Sequence, residues 1–137
     1  MVTRRPSPSR SKMMAAVKGR DTSPEMYVRR MLFAAGFRFR LHDARLPGRP
    51  DIVLSSYRTA IFVNGCFWHG HSCKRGLRPT TNTNFWNRKL DANKKRDKRN
   101  RRLLKAAGWT PVVIWTCETK EGAAELLRVI RRRRLAR

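Results

Sequence analysis

The chain has 137 residues, of which 33 are Lys or Arg and nine are Asp or Glu, for a formal charge of +24 and a pI near 11.8. A balance so one-sided calls for a polyanion, and nucleic acid is the default partner; no stretch approaches the ~18 continuous apolar residues of a membrane span, which leaves an anionic membrane surface as the weaker alternative. With 40% hydrophobic residues the chain is not globally disordered, and its length suits one domain with a real core.

Residues 1–20 carry six basic residues and no acid, with three Ser and two Pro in the first eleven positions. That composition predicts a flexible, DNA-contacting arm, with residues 11–20 nearest a single domain spanning 21–137. No apolar segment follows the basic start MVTRRPSPSR, so a secretory leader is not expected. Three cysteines cannot all pair internally and are expected as reduced thiols in a cytoplasmic protein.

The first helix is signalled by Thr22 or Ser23 as cap and Pro24 in the first turn. Val28, Met31, Leu32 and Ala35 recur at helical spacing, and Gly36 stops the helix. Residues 37–41, FRFRL, alternate as a half-buried strand should, and 46–50 is a loop. Residues 51–54 and 59–63 read as two strands of a hairpin turned by 55–58, the second central because 60–63 is wholly apolar. The segment 64–83 is irregular. Residues 85–107 form one long helix ended by Gly108, and ten of the eighteen residues from 88 to 105 are Lys or Arg, a nucleic-acid-facing excess. Residues 109–115 make another strand, with Pro111 near its start, and 121–130 a last amphipathic helix. The order α-β-β-β-α-β-α predicts a mixed α/β (α+β) fold, a small mixed sheet flanked by helices.

The chemistry concentrates in residues 61–73, IFVNGCFWHGHSC. Cys66, Cys73 and Cys117 are the only cysteines, and three thiols plus one imidazole complete a structural zinc site. Cys117 follows the 109–115 strand and could clip it to the 66–73 loop. His69 and His71 compete for the fourth place; His71, two residues from Cys73, suits it better and leaves His69 free. The competing reading is three buried free thiols. Asp51 follows a proline and opens a strand, as in Mg2+ nucleases, yet Phe62-Val63-Asn64 lacks the acid and lysine that usually complete that pattern. Trp86, Lys89, Asn93 and Asp97 fall at i, i+3, i+7 and i+11 and share one helix face. On this reading Phe85 packs inward and Trp86 points out, while Phe67 and Trp68 pack either inside or into something the protein binds.

Taken together, RSKMMAAVKGRDTSPE, LPGRPDIV, GCFWHGHSC, FWNRKLDANKKRD and the strand ending in Trp115-Thr116-Cys117 resemble the very short patch repair (Vsr) DNA mismatch endonucleases. The resemblance implies a restriction-endonuclease-like fold and nicking of DNA beside a T:G mismatch left by deamination of 5-methylcytosine. It also implies a link to a cytosine-5 DNA methyltransferase and action as a monomer on DNA. By the same resemblance Asp51 and the Val63 main-chain carbonyl would hold Mg2+, and Glu25 would hold water near the cation. His69 would activate the attacking water, oriented by Asp97. Cys66, His71, Cys73 and Cys117 would bind Zn2+. Phe67, Trp68 and Trp86 would wedge into the duplex, Lys89 and Asn93 would contact the mismatched bases, and the arm with Lys12, Met14 and Arg20 would close over the DNA.

One position departs from the family pattern. Members generally place His or an acid where this chain has Asn64, and an amide only hydrogen-bonds. A variant with weaker chemistry and a near-isosteric Asp-to-Asn change that traps a DNA complex both fit. The competing functions are a non-catalytic mismatch-binding module on the same scaffold and a ribosomal-type RNA-binding protein.

Overall fold

A computed structural model describes residues 22–136. Lys12, Met14, Arg20 and the rest of the predicted arm lie outside the described residues. Helix α1 spans Ser23–Ala34, with the Thr22 hydroxyl accepting from the Glu25 amide at 3.4 Å and Pro24 in the first turn. Glu25, Val28 and Leu32 are its buried stripe. Gly36, at φ 91°, ends it in the left-handed conformation that costs glycine little.

The strand expected over 37–41 is only two residues long, β1 at Arg40–Leu41. The reason lies in the helix cap. The Phe37 amide bonds to the Leu32 carbonyl at 3.0 Å, closing α1, and the Phe37 ring turns into the core. That amide is therefore unavailable to a sheet ladder.

Strands β2 (Ile52–Leu54) and β3 (Thr59–Asn64) form the predicted hairpin through a 3-10 turn at Ser55–Tyr57. Helix α2 (Thr83–Ala106) then crosses over to β4 (Thr110–Trp115), which pairs parallel to β3. A parallel neighbour demands such a crossover, and the long helix supplies it. The sheet order is β1-β2-β3-β4, with antiparallel β1/β2 and β2/β3 pairs, so β3 is interior as expected.

Helix α3 (Thr119–Ala136) runs longer at both ends than its amphipathic pattern predicts. Its basic end is not idle. Arg133 donates to the Thr59 hydroxyl at 2.7 Å, and the Arg134 guanidinium lies 3.9 Å from the Phe37 ring centroid. The main core lies between α1, α3 and the sheet: Val28, Leu32, Phe37, Ile52, Leu54, Ile61, Ile114, Ala123, Leu126 and Ile130. Full burial of each aliphatic side chain there contributes roughly 1.5–3 kcal/mol. A second, smaller cluster of Phe67, Trp86 and Leu90 forms under the irregular segment. Among the described residues, no helix is long and apolar enough to cross a membrane.

Candidate active site and metal centre

The hairpin places the first acid. Asp51 sits just before β2, and its Oδ2 accepts the Val63 amide of β3 at 2.7 Å. Burial pushes its carboxyl up to about 6, and the nearby Glu25 charge adds to the rise; the Val63 N–H, His42 and His69 oppose it. Glu25 reaches the same place from α1 and is 2% exposed. Its Oε2 is ion-paired with Arg29 and lies 3.0 Å from His42 Nε2.

His69, on the irregular segment, is met by Asp97 from α2, with Nδ1 and Oδ2 2.5 Å apart. The two share a cavity of about 360 Å³ with Asp51, Asn64 and Arg49. Asn64 is buried at the end of β3, in register with Trp115. His69 and Asp97 also line a cavity of about 400 Å³ together with Lys94, Lys95, Lys98 and Arg101. An imidazole backed by a carboxylate thus lines both a recess of mixed charge, with Arg49 and Arg96 beside Asp51, and a basic one. Such an imidazole can take up a proton while phosphates are held nearby.

The cysteines converge for a topological reason. Parallel pairing of β3 with β4 sets Asn64 beside Trp115, so the residues just beyond each strand, Cys66 and Cys117, emerge together. His71 and Cys73 return to the same point, and one donor atom from each of the four lies within 4.8 Å of the others. The His71 ring stacks on Trp115 with centroids 4.2 Å apart, and its Nδ1 is 3.5 Å from Cys117 Sγ. Burial raises the Cys73 thiol, but hydrogen bonds from His71, the other cysteines and the Arg75 amide outweigh it and bring it to about 6. Cys117 is pushed up to about 12, by burial first and then by the neighbouring sulfurs. Three crowded sulfurs share negative charge poorly without a cation, and three thiolates with one imidazole suit tetrahedral zinc. The four donors are those chosen from spacing, and His69 stays outside them, on Asp97.

The aromatic residues require a correction. Trp86 is 9% exposed and Phe85 is 53% exposed, the reverse of the expectation. Phe67, expected to point outward, is 5% exposed, while Trp68 is half-buried. The helix face that carries Trp86, Asn93 and Asp97 also carries Leu90, and the 66–70 loop lies over it; Phe85, one residue away, is rotated by about 100° into solvent. Phe67 packs edge-on against Trp68 and Trp86, with centroids 5.1 and 5.4 Å apart. Asn93 Nδ2 donates to the Trp68 carbonyl at 3.1 Å, and Lys89 Nζ lies 6.0 Å from the Trp68 ring centroid.

Sequence reasoning missed His42 and Arg29. Arg29 Nη2 is 3.1 Å from His42 Nε2 and in contact with Glu25. The available signal was thin: His42 is one of three histidines and stands a short loop ahead of Pro50-Asp51. Nothing local announces that α1 will bring Glu25 and Arg29 against it.

Residues 5–75 match the family model for DNA mismatch endonuclease Vsr. The type II nicking enzyme V.NmeAIP of Neisseria meningitidis serogroup A is 46% identical over 83% of this chain and 81% of its own length. The type II nicking enzyme V.XorIIP of Xanthomonas oryzae pv. oryzae is 46% identical over 90% of this chain and 93% of its own. The DNA mismatch endonuclease Vsr of Escherichia coli K12 is 44% identical over 80% and 70%. The chain belongs to the Vsr family of DNA mismatch endonucleases.

As a Vsr-family protein it is a strand-nicking DNA endonuclease, which sets aside the RNA-binding alternative. The four-stranded mixed sheet flanked by helices agrees with the restriction-endonuclease-like fold. The match to the Vsr model spans Glu25, Asp51, His69 and three of the four clustered Cys/His residues that could hold a metal, and ends before Asp97 and Cys117. Those last two come from α2 and the turn after β4, and the folded chain delivers them to the same two centres.

Proposed function

We propose that this chain nicks one strand of duplex DNA beside a T:G mismatch, using Mg2+ at Asp51 and a structural Zn2+ in the cysteine cluster. The observation that carries the reading is that Asp51 and the His69–Asp97 pair line one cavity. Asp51 and the Val63 carbonyl would hold the cation, and Glu25 would order water beside it. Bound there, Mg2+ supplies positive charge that polarises the scissile phosphate. His69 takes a proton from the attacking water at Nε2, while Asp97 holds Nδ1–H and so sets the tautomer.

Recognition falls to the three-ring cluster and the basic surfaces. Trp68 is its most open ring, with Phe67 and Trp86 packed against it. Driving such a wedge into a base step costs roughly a few kcal/mol, and least where pairing is already wrong. A mismatch therefore selects itself. Lys89 and Asn93 lie against Trp68 and would contact the mismatched bases. Lys94, Lys95, Lys98 and Arg101 neutralise phosphates, which makes binding steeply salt-dependent. The chain works as a single copy on DNA in the cytoplasm, and its T:G substrate links it to a cytosine-5 DNA methyltransferase.

A second reading, a mismatch-binding module without catalysis, is favoured by Asn64, whose amide lines the cavity where the family usually has a proton-exchanging group. A panel of mismatched duplexes, incubated with Mg2+ and either the native chain or its Asn64→Asp and Asn64→His variants, separates the two. The proposal expects nicking of the T:G duplex by the native chain and faster nicking by at least one variant. Binding without nicking by all three supports the module. Nicking with no gain in rate shows that the amide is not a handicap.

A further inference from the structure

The Glu25–His42–Asp51 cluster contains one group that the mechanism above leaves unused. His42 stands between the two carboxylates, with Nε2 3.0 Å from Glu25 Oε2 and Nδ1 3.9 Å from Asp51 Oδ1. One donor atom from each of the three residues lies within 4.8 Å of the others. Ligands of an octahedral ion at 2.0–2.1 Å are about 3 Å apart when adjacent, which is the Glu25–His42 spacing. The ring is 12% exposed. Its backbone is held at φ 48°, unusual for a residue with a side chain, and its amide bonds to the Asp51 carbonyl at 3.1 Å. His42 is therefore tied to the principal cation ligand through the main chain. A positive group already sits against the pair: Arg29 Nη2 contacts Glu25 Oε2 and lies 3.1 Å from His42 Nε2. One cationic atom thus already sits where Glu25 Oε2 and His42 Nε2 meet.

We propose that His42 is a nitrogen donor to the divalent cation held at Asp51, completing a Glu25–His42–Asp51 ligand set. The inference rests on the reading of Asp51 as a cation ligand. The Arg29 guanidinium is the internal counter-ion of the metal-free site and gives way when a divalent cation enters. An imidazole in the set matters less to Mg2+, which is satisfied by oxygen, than to ions that accept nitrogen. The ligand set therefore bears on metal preference.

The test uses Mn2+ as the probe on zinc-loaded protein without DNA. Pulsed electron paramagnetic resonance of the bound Mn2+ reports directly coupled ¹⁴N. The native protein is expected to show one strongly coupled imidazole nitrogen, retained in His69→Gln and lost in His42→Gln. Calorimetry should show Mn2+ binding weakened about tenfold in His42→Gln and Mg2+ binding changed much less, because the glutamine carbonyl still offers oxygen. Arg29→Met should bind Mn2+ more tightly. A native spectrum without coupled nitrogen overturns the inference whatever the variants do, as does a signal that survives in His42→Gln or vanishes only in His69→Gln. The reading beneath it is checked separately by Mg2+-dependent nicking: nicking with no His42 signal sinks this inference alone, whereas no cation binding and no nicking sink both.

Discussion

Asp51→Asn should stabilise the metal-free protein at neutral pH while destroying its activity. The Asp51 carboxyl is lifted from the usual 3.8 to about 6, chiefly by burial and further by Glu25. A carboxyl whose pKa is higher in the folded than in the unfolded chain binds its proton more tightly when folded. Stability is then highest below pH ~4, falls as pH rises to about 6, and stays lowered above that, where the charged group is held in a buried site. At ~1.4 kcal/mol per pH decade, the gap amounts to about 3 kcal/mol as a ceiling. The attraction of His42 and His69 is already included in that net rise, whereas asparagine offers the Val63 amide a weaker acceptor than a carboxylate and adds an NH2 group that needs a partner. The net gain expected at pH 7.5 is therefore about 1–2 kcal/mol, shrinking to nearly nothing at pH 4. Urea unfolding of both proteins with zinc retained and no Mg2+ measures it, and the difference between them cancels the zinc contribution. Added Mg2+ should reverse the order, because only the native protein gains binding energy. If Asp51→Asn is no more stable than native at pH 7.5, or if its gain persists at pH 4, burial does not destabilise the charged form of Asp51.

Three further outcomes follow from the geometry. His69→Ala should lower kcat by roughly 10²–10⁴ with little change in DNA affinity, as expected for a lost general base; a loss confined to affinity would make His69 a binding residue. A Cβ on Gly76 would lie 1.9 Å from the His71 carbonyl oxygen, so Gly76→Ala must displace the metal-donor loop. Metal analysis should then find well under one zinc per chain, and full occupancy would show that the loop tolerates the change. Trp86→Ala should cost about 3–5 kcal/mol as a buried ring, whereas exposed Phe85→Ala should stay within about 0.5 kcal/mol, both read by denaturant titration. Equal costs would contradict the burial of one ring and the exposure of the other.

Much of this arrangement is legible in the chain itself. The hairpin reads from 51–54 and 59–63 because both strands are short apolar runs around a turn, and Gly36 and Gly108 mark helix ends that the structure keeps. The convergence of the three cysteines with His71 is legible because cysteine is scarce here and each one can be weighed. Helix phase is less forgiving. The spacing of Trp86, Asn93 and Asp97 does put them on one face, but which way that face turns depends on the 66–70 loop folding over Leu90. Phe37 illustrates another limit: its alternating neighbours suggest a strand, yet the cap of α1 takes its amide first. His42 was hidden for a third reason. Its place in the site depends on a left-handed backbone and on α1 crossing the hairpin, neither of which any local pattern records.

The most direct measurement is single-turnover cleavage of a duplex carrying one T:G mismatch, with the nick mapped to the nucleotide, in the presence and absence of Mg2+. The account predicts a single Mg2+-dependent nick in one strand beside the mismatch, abolished in His69→Ala and absent from the matched duplex. Tight binding of the mismatch with no nick under any divalent cation would contradict it, and would leave the His69–Asp97 pair without a reaction to perform.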